Sequence, residues 1–285
     1  MAEGKEFWRK AIPRERDLRQ SQLLAWVVGA LLAFAAIAHP IAAWKVGLPR
    51  WQFRDPLLVS TLFAAVVWGL RAATPGGVVM GWMVCFILAG SPQMGGQFSA
   101  KPEHRAALPA LLALFVLTFA ATRFGRAKKE ARGLAEARRG RSASQIAANL
   151  GVAALFAATG RYHGCIAALA EATADTVSSE MGQALGGRTV MITTLRPVER
   201  GTDGGISIAG SVAGIVAGGI VVAIGGVRHA LMPNGAAVMI AACVGLFFDS
   251  LLGATVERRG WLGNDLVNFA STLFAALLAE VLARQ

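Results

Sequence analysis

Carboxylate side chains stand beside an apolar segment in the second half of the chain. Glu171 directly follows the apolar run CIAALA, and Asp175 comes four residues later. On a helix, Ser178 and Gly182 would lie on the same face as these two carboxylates. Glu180 would point elsewhere on such a helix. An unpaired carboxylate at membrane depth costs several kcal/mol, and such residues usually mark an ion or substrate path. Structural pairing with an arginine of the following loop is the alternative.

Asp249 stands in the middle of the apolar stretch GLFFDSLLGAT, with Gly245 and Gly253 four residues away on either side. We expect these glycines to open a groove on the face that Asp249 occupies. Three acidic residues from different helices are able to hold Mg²⁺, which prefers oxygen ligands and shares them with substrate phosphates. A buried aspartate hydrogen-bonded to a neighbouring helix is the alternative.

A glycine-rich stretch, RGTDGGISIAGS (residues 200–211), leads into another apolar segment. Thr202 or Asp203 is placed to cap the predicted helix, and glycines let the backbone approach a ligand closely. Free N–H groups at a helix start bind phosphate. No lysine follows the glycines as in a Walker A loop, so phosphate binding would rest on the backbone, Ser207, Ser211 and Arg200. A plain turn between helices is the alternative, and Gly210, Gly214 and Gly218 have the spacing of close helix packing.

Amide side chains recur at helical spacing in two further segments. Arg141, Gln145 and Asn149 follow one another at intervals of four in RSASQIAANLG, and Asn264 and Asn268 do so in GNDLVNFAS. An arginine and amides on one helical face would grip phosphate oxygens or a nucleobase edge. Hydrogen bonding between helices explains them equally well.

The segments that must position these residues are those of a membrane protein. Of the 285 residues, 55% are hydrophobic and 16% charged, and the mean hydropathy is +0.52. Helices of roughly 20 apolar residues cross a membrane. We predict an all-α polytopic transmembrane bundle of about nine spans, at residues 22–38, 56–70, 77–90, 106–122, 143–158, 163–176, 206–225, 232–253 and 266–282. The charged leader is expected to stay attached to the first span.

Cysteine, histidine and net charge exclude several other classes of protein. The three cysteines lie in separate apolar runs, so neither a disulfide framework nor a CxxC metal site is indicated. The four histidines, His39, His104, His163 and His229, lie near segment ends without a metal-binding spacing. The net charge is +11, but aromatic residues are not interleaved with the basic ones. Membrane topology therefore explains the charge better than nucleic-acid binding does.

Loop charges predict the orientation and the division of the chain. With a cytoplasmic amino terminus and nine spans, 20 of the 28 lysines and arginines lie inside, as the positive-inside rule requires. Residues 1–122 would form a scaffold, 123–142 a basic cytoplasmic linker and 143–285 the catalytic membrane domain. We interpret the linker as an anchor to anionic lipid headgroups rather than as a direct participant in catalysis.

Carboxylates for a metal, a glycine turn at a helix start and arginines at one membrane face together indicate phosphoryl transfer. This chemistry needs positioning and charge neutralisation more than covalent groups. The acidic residues would then lie at the membrane edge because the phosphate end of a lipid lies there too.

At these motifs the chain resembles the integral-membrane phytyl-phosphate kinases and their uncharacterised transmembrane relatives. The matching pieces are RSASQIAANLG, ATADTVSSEMG, RGTDGGISIAGS, FDSLLGAT and GNDLVNFAS, in that order, over roughly residues 138–272. The resemblance implies transfer of the terminal phosphate of a nucleoside triphosphate, CTP above all, to a prenyl monophosphate such as phytyl or geranylgeranyl phosphate. The product would be a prenyl diphosphate, a precursor of tocopherols and quinones.

Position by position, the resemblance implies a catalytic set of Asp175, Glu180, Asp203 and Asp249, with Mg²⁺ held by Asp175, Glu180 and Asp249. The nucleotide and phosphates would be bound by Arg141, Gln145, Asn149, Ser178, Arg200, Gly201, Thr202, Gly204, Gly205, Ser207, Asn264 and Asn268. Distantly similar phytol and dolichol kinases carry a lysine in the segment that corresponds to RGTDGGIS, and this chain has none there.

Two other functions stay open at this point. An ion-coupled transporter would use the intramembrane carboxylates as a path, although no inverted repeat relates the acid-poor first half to the acid-rich second half. A structural protein would explain the glycine spacing but not the acids. The oligomeric state is open as well, a homodimer included.

Overall fold

The computed structural model describes residues 12–45, 47, 51–90, 107–134, 140–226 and 234–284. The start of the predicted leader, part of the predicted linker, and two of the four histidines lie outside these ranges; they are residues 1–11, residues 135–139, His104 and His229.

Helices make up almost all of the described chain. The long ones are α1 (Arg14–Lys45), α2 (Trp51–Gly69), α3 (Pro75–Gly90), α4 (Ala107–Arg123), α6 (Ala143–Ala158), α7 (Tyr162–Leu185), α8 (Ile208–Gly226), α9 (Gly235–Leu252) and α10 (Asn264–Leu282). A short helix, α5 (Arg126–Glu130), follows α4. Within the described residues, each predicted apolar window coincides with one long helix except at its ends, as at residues 206–207, which belong to a strand; this confirms the all-α membrane bundle.

Four of the described helical segments are long and apolar enough to cross a membrane: Arg14–Ala42, Ile208–Gly226, Gly235–Glu257 and Asn264–Leu282. Three more apolar helices, α3, α4 and α6, are shorter. The chain is therefore a multi-pass membrane protein, while the number of nine spans stays a prediction.

Helix α7 lies at the centre of the bundle, in contact with α4, α6, α8, α9 and α10. Ile166 and Leu169 on this helix have no exposed surface. Helix α8 packs closely against α7 because glycines face it. A Cβ atom added to Gly214 would lie 2.5 Å from the carbonyl oxygen of Ala174, and one added to Gly210 would lie 2.6 Å from that of Ser178. The close packing indicated by the glycine spacing is thus present.

A two-stranded antiparallel ribbon, which the sequence analysis did not predict, joins α7 to α8. Strand β1 (Thr189–Met191) pairs with β2 (Gly205–Ser207), with Thr189 opposite Ser207. Because residues 205–207 pair in this ribbon, α8 begins only at Ile208. The expectation that Thr202 or Asp203 caps this helix is wrong: Ser207 Oγ accepts the N–H of Gly210 at 3.2 Å.

Helix α9 ends in a π-helical turn, Gly253–Glu257. Such turns widen the helix locally and occur often at functional sites. The turn packs on the glycine-rich loop, where a Cβ atom added to Gly253 would lie 2.8 Å from the backbone nitrogen of Gly204. Glycine at position 253 therefore lets the two backbones touch.

Candidate functional site

One polar cavity of about 280 Å³ opens at the end of the bundle where α7 and α9 end and where α6, α8 and α10 begin. All sixteen residues that the resemblance assigned to the site line it, whereas Ser211, which was also expected to bind phosphate, does not. They are Arg141, Gln145, Asn149, Asp175, Ser178, Glu180, Arg200, Gly201, Thr202, Asp203, Gly204, Gly205, Ser207, Asp249, Asn264 and Asn268. The five sequence motifs thus meet in space, and the chemical roles of their residues stay predictions.

Five carboxylates line this cavity, and four of them interact electrostatically: Asp175, Asp203, Asp249 and Glu257. Asp249 and Glu257 each experience repulsion from Asp175 and from Asp203, while Arg141 attracts Asp175. Glu257 was not predicted, because it belongs to the π turn and in the sequence resembles an ordinary loop residue. So many carboxylates in one partly buried place are relieved either by protonation or by a nearby cation.

Side chains of α10 donate hydrogen bonds to the Asp249 carboxylate. Ser271 Oγ donates to Asp249 Oδ2 at 3.1 Å. The Asn268 amide, oriented by its hydrogen bonds, donates to the same oxygen at 3.3 Å and to the carbonyl of Asn264 at 3.2 Å. Asn268 and the unpredicted Ser271 thus fix the carboxylate together, whereas Asn264 contributes only its backbone carbonyl.

Gly245 does not open a groove beside Asp249, contrary to expectation. A Cβ atom added there would lie 2.7 Å from Glu171 Cγ and 2.8 Å from Ala275 Cβ, so this glycine makes room for Glu171. The Glu171 side chain is 1% exposed, and its carboxylate oxygens have no hydrogen-bond partner among the described residues. It lies beneath the cavity, close to Asp175 and Asp249.

Glu180 has a partner that the sequence analysis missed. Lys129 on α5 is 1% exposed, and its ammonium group donates to the Glu180 carboxylate, to the Thr122 carbonyl at 2.9 Å and to the Ala121 carbonyl at 3.2 Å. The interpretation of the linker as a lipid anchor is therefore wrong for Lys129. Glu180 thus has an ion-pair partner, and its role as a Mg²⁺ ligand stays a prediction.

The loop between the two strands forms one wall of the cavity. Gly201 and Gly204 have φ values of +77° and +74°, a conformation that side chains disfavour. The N–H of Gly205 donates to the Thr202 carbonyl at 2.8 Å, which closes a tight turn. Arg200 stands at the rim and donates to the Gly187 carbonyl at 3.4 Å.

The start of α6 forms the opposite wall. Ser142 and Gln145 cap each other reciprocally, with Ser142 Oγ accepting the Gln145 N–H at 3.2 Å and Gln145 Oε1 accepting the Ser142 N–H at 2.8 Å. The S-x-x-Q pattern of this capping box was readable in the sequence. Since α6 begins at Ala143, Arg141 precedes the helix and does not lie on its face as predicted, yet it lines the cavity.

The carboxylates of this cavity are of the chemical type that binds a magnesium ion. Hard divalent cations take carboxylate oxygens, and Asp175, Asp249 and Glu257 are the residues that would hold one. Among the described residues, however, no group of three histidine, cysteine or acidic side chains stands ready in a metal-binding arrangement. The predicted ligands Asp175, Glu180 and Asp249 therefore do not form a preassembled metal site, and Mg²⁺ binding stays a prediction.

Comparisons with known proteins agree with the motif resemblance. An uncharacterized membrane protein of Synechocystis, sll0875, is 35% identical over 183 residues, 59% of this chain and 70% of its own. Protein VTE6, chloroplastic, of Arabidopsis thaliana is 32% identical over 185 residues, 59% of this chain and 55% of its own. An uncharacterized membrane protein of Methanocaldococcus jannaschii, MJ0933, is 33% identical over 181 residues, 60% of this chain and 74% of its own.

These relatives come from a bacterium, a plant and an archaeon, and the chain spans little more than half of the plant protein. No solved structure matches at a significant level. The model of the family described as integral membrane protein DUF92 matches residues 58–276, which is more than half of the chain and extends the resemblance into its first half. The chain therefore belongs to the integral membrane family DUF92, and the predicted family resemblance is confirmed.

Proposed function

We propose that this protein is a kinase that transfers the terminal phosphate of a nucleoside triphosphate, CTP by resemblance, to a prenyl monophosphate. The observation that carries the proposal is the meeting of all five motifs, with their acids, amides, arginines and glycines, on one polar cavity at the end of a membrane bundle. The product is a prenyl diphosphate, and the nucleoside diphosphate leaves.

The step exchanges one phosphorus–oxygen bond for another. An oxygen of the acceptor monophosphate attacks the terminal phosphorus of the nucleotide, and the bond from that phosphorus to the bridging oxygen breaks. A phosphate monoester is already mostly dianionic at neutral pH, so no strong general base is needed. This agrees with a cavity lined by no histidine among the described residues.

Positioning falls to the two walls of the cavity. Arg200 and the backbone N–H groups of the 200–205 turn suit the nucleotide phosphates, apart from those of Thr202 and Gly205, which donate to backbone carbonyls. Arg141 suits the acceptor phosphate on the opposite wall. Asn268 and Ser271 fix the Asp249 carboxylate between them. When bound, Mg²⁺ supplies neutralisation of the phosphate charge.

The membrane determines where the prenyl monophosphate lies relative to the cavity. A prenyl chain stays in the apolar region while its phosphate reaches the end of the bundle, where the cavity opens. By the charge distribution of the loops this end faces the cytoplasm, where nucleoside triphosphates are available.

The test is direct conversion. Purified protein in detergent is incubated with Mg²⁺, nucleotide labelled in its terminal phosphate, and phytyl or geranylgeranyl monophosphate. We expect label in the prenyl diphosphate, no product with the prenyl alcohol, and a preference for CTP over ATP and UTP. Absence of labelled diphosphate with every nucleotide and every prenyl monophosphate would refute the proposal.

A further inference from the structure

A second, larger cavity of about 570 Å³ lies beside the polar one, between α2, α3, α4 and α6. Its walls are apolar and include Phe63 and Val67 from α2 and Leu111, Leu114 and Phe115 from α4. Helices α2 and α4 meet at an edge-to-face contact of Phe63 and Phe115, whose ring centres are 5.4 Å apart. The volume lies in the range of small-molecule binding sites.

The two cavities share a boundary. Arg141, Gln145 and Asn149 line both of them. The boundary between the cavities is therefore formed in part by one arginine and two amides, groups that bind phosphate oxygens well.

The mouth of the apolar cavity is cationic. Arg71, Arg123, Arg126 and Arg141 line it, and Arg126 is also paired with Glu130 at 3.0 Å. The Arg123 guanidinium lies 4.1 Å from the centre of the Phe119 ring and donates to the Leu70 carbonyl at 3.4 Å, so it crosses from α4 to the end of α2. An apolar interior beneath a cluster of arginines has the chemistry that binds an anionic amphiphile.

Gly81 on α3 lines the apolar cavity, and a Cβ atom added to it would meet nothing within 4 Å. The interior therefore has free space beside this residue, although Gly81 is itself buried. A methyl group at position 81 would strike no neighbour, and a longer side chain there would take up space in the cavity that Gly81 lines.

We propose that this apolar cavity binds the hydrocarbon chain of the prenyl monophosphate, with the phosphate held at Arg141, Gln145 and Asn149 on the boundary with the polar cavity. The inference rests on the proposed function and adds where the acceptor lies and which helices select its chain length. The acceptor enters from the α2–α4 side, and the nucleotide occupies the polar cavity from the opposite wall.

The test is a pair of cavity-filling variants. Gly81→Leu from α3 and Ala64→Phe from α2 fill the cavity from different walls. Each is expected to raise the KM for geranylgeranyl monophosphate about tenfold, the equivalent of roughly two methylene groups that lose their burial. The KM for dimethylallyl monophosphate and that for nucleotide should stay within about twofold of wild type on the same basis. Gly69→Leu is the matched control, since Gly69 is exposed, lies outside the cavity and has open space for a side chain.

A binding measurement separates this inference from the proposed function. Geranylgeranyl monophosphate without nucleotide should raise the Tm of wild type and of Gly69→Leu, but not that of the two filled variants. Protection of this kind without any turnover would support the cavity and refute the kinase. Turnover with an unchanged KM in both filled variants, or equal protection by a two-chain phosphatidate, would overturn the cavity proposal and leave the kinase standing.

Discussion

At the scale of single residues, Lys129 of the basic stretch is buried and pairs with Glu180 beside the site. Their ion pair is buried on both sides, with side chains 1% and 9% exposed. Truncating one partner of such a pair leaves an uncompensated buried charge, whereas replacing both by apolar groups is often neutral. The pair fastens α5 to α7 beside the candidate phosphate site.

We predict that Lys129→Met lowers the free energy of unfolding by about 3–5 kcal/mol, and that Lys129→Met combined with Glu180→Leu recovers most of this loss. The matched control is Glu130→Gln, which removes a half-exposed partner of Arg126 and should cost less than about 1 kcal/mol. Thermal unfolding in detergent measures all of them. A Lys129→Met variant as stable as Glu130→Gln would contradict the structural role of the pair.

Site residues could be predicted from the sequence where the pattern that marks them lies within one short segment. Acids and amides at helical spacing were visible in the sequence, and all sixteen residues that the resemblance assigned to the site line one cavity. Lys129 and Ser271 were missed because their partners, Glu180 and Asp249, lie 51 and 22 residues away. In the sequence Lys129 is one of several basic residues in a run, and nothing local shows that it is buried.

At the scale of elements, the contact of α7 with α8 determines where Asp175 and Ser178 stand. Gly210 and Gly214 bring the two backbones together. A methyl group at this contact must push the helices apart, and overpacking of this kind usually costs about 1–3 kcal/mol.

We predict that Gly214→Ala lowers the Tm and strongly reduces turnover, because it displaces α7 and its carboxylate. Gly219→Ala on the same helix is the matched control, since its new methyl group would meet only Met239, at 3.8 Å or more. That variant should be neutral or slightly stabilised by better helix propensity. Equal behaviour of the two variants, in unfolding and in turnover, would contradict the packing argument.

The long helices were predictable because hydropathy alone marks them, and within the described residues each predicted window coincides with one helix except at its ends. The ribbon and the π turn were not. Strands of three residues, such as Thr189–Met191, are too short to show an alternation, and the π turn at Gly253–Glu257 continues the helical pattern of α9. These two elements bring Gly204 to Gly253 and expose Glu257 to the cavity. Their geometry could be seen only in the structure.

At the scale of the whole molecule, the amino-terminal end of α1 lies at the same end of the bundle as the site. Arg16 and Gln20 donate to the carbonyls of Gly260 and Trp261, at 3.2 and 2.9 Å. The loop between α6 and α7 lies at the opposite end, since α6 begins and α7 ends at the cavity. The predicted orientation puts the site end in the cytoplasm.

Single cysteines test this orientation. Thr194→Cys lies in the exposed ribbon loop at the site end, and Thr159→Cys lies in the exposed loop between α6 and α7. In intact cells, with the native cysteines replaced, we expect a membrane-impermeant maleimide to label Thr159→Cys and to label Thr194→Cys only after lysis. The reverse pattern would invert the topology, and labelling of both from one side would contradict the bundle.

The most direct test of the central claim is the phosphate-transfer assay on Asp249→Asn. The structure holds this carboxylate with Ser271 and Asn268 at the meeting point of the motifs, whereas Asp265→Asn on α10 lies outside the cavity and serves as the control. We predict that wild type and Asp265→Asn form labelled prenyl diphosphate from CTP and that Asp249→Asn, folded and equally stable, forms it at least about 100-fold more slowly. Turnover by Asp249→Asn at the wild-type rate would contradict the assignment of this cavity to phosphoryl transfer.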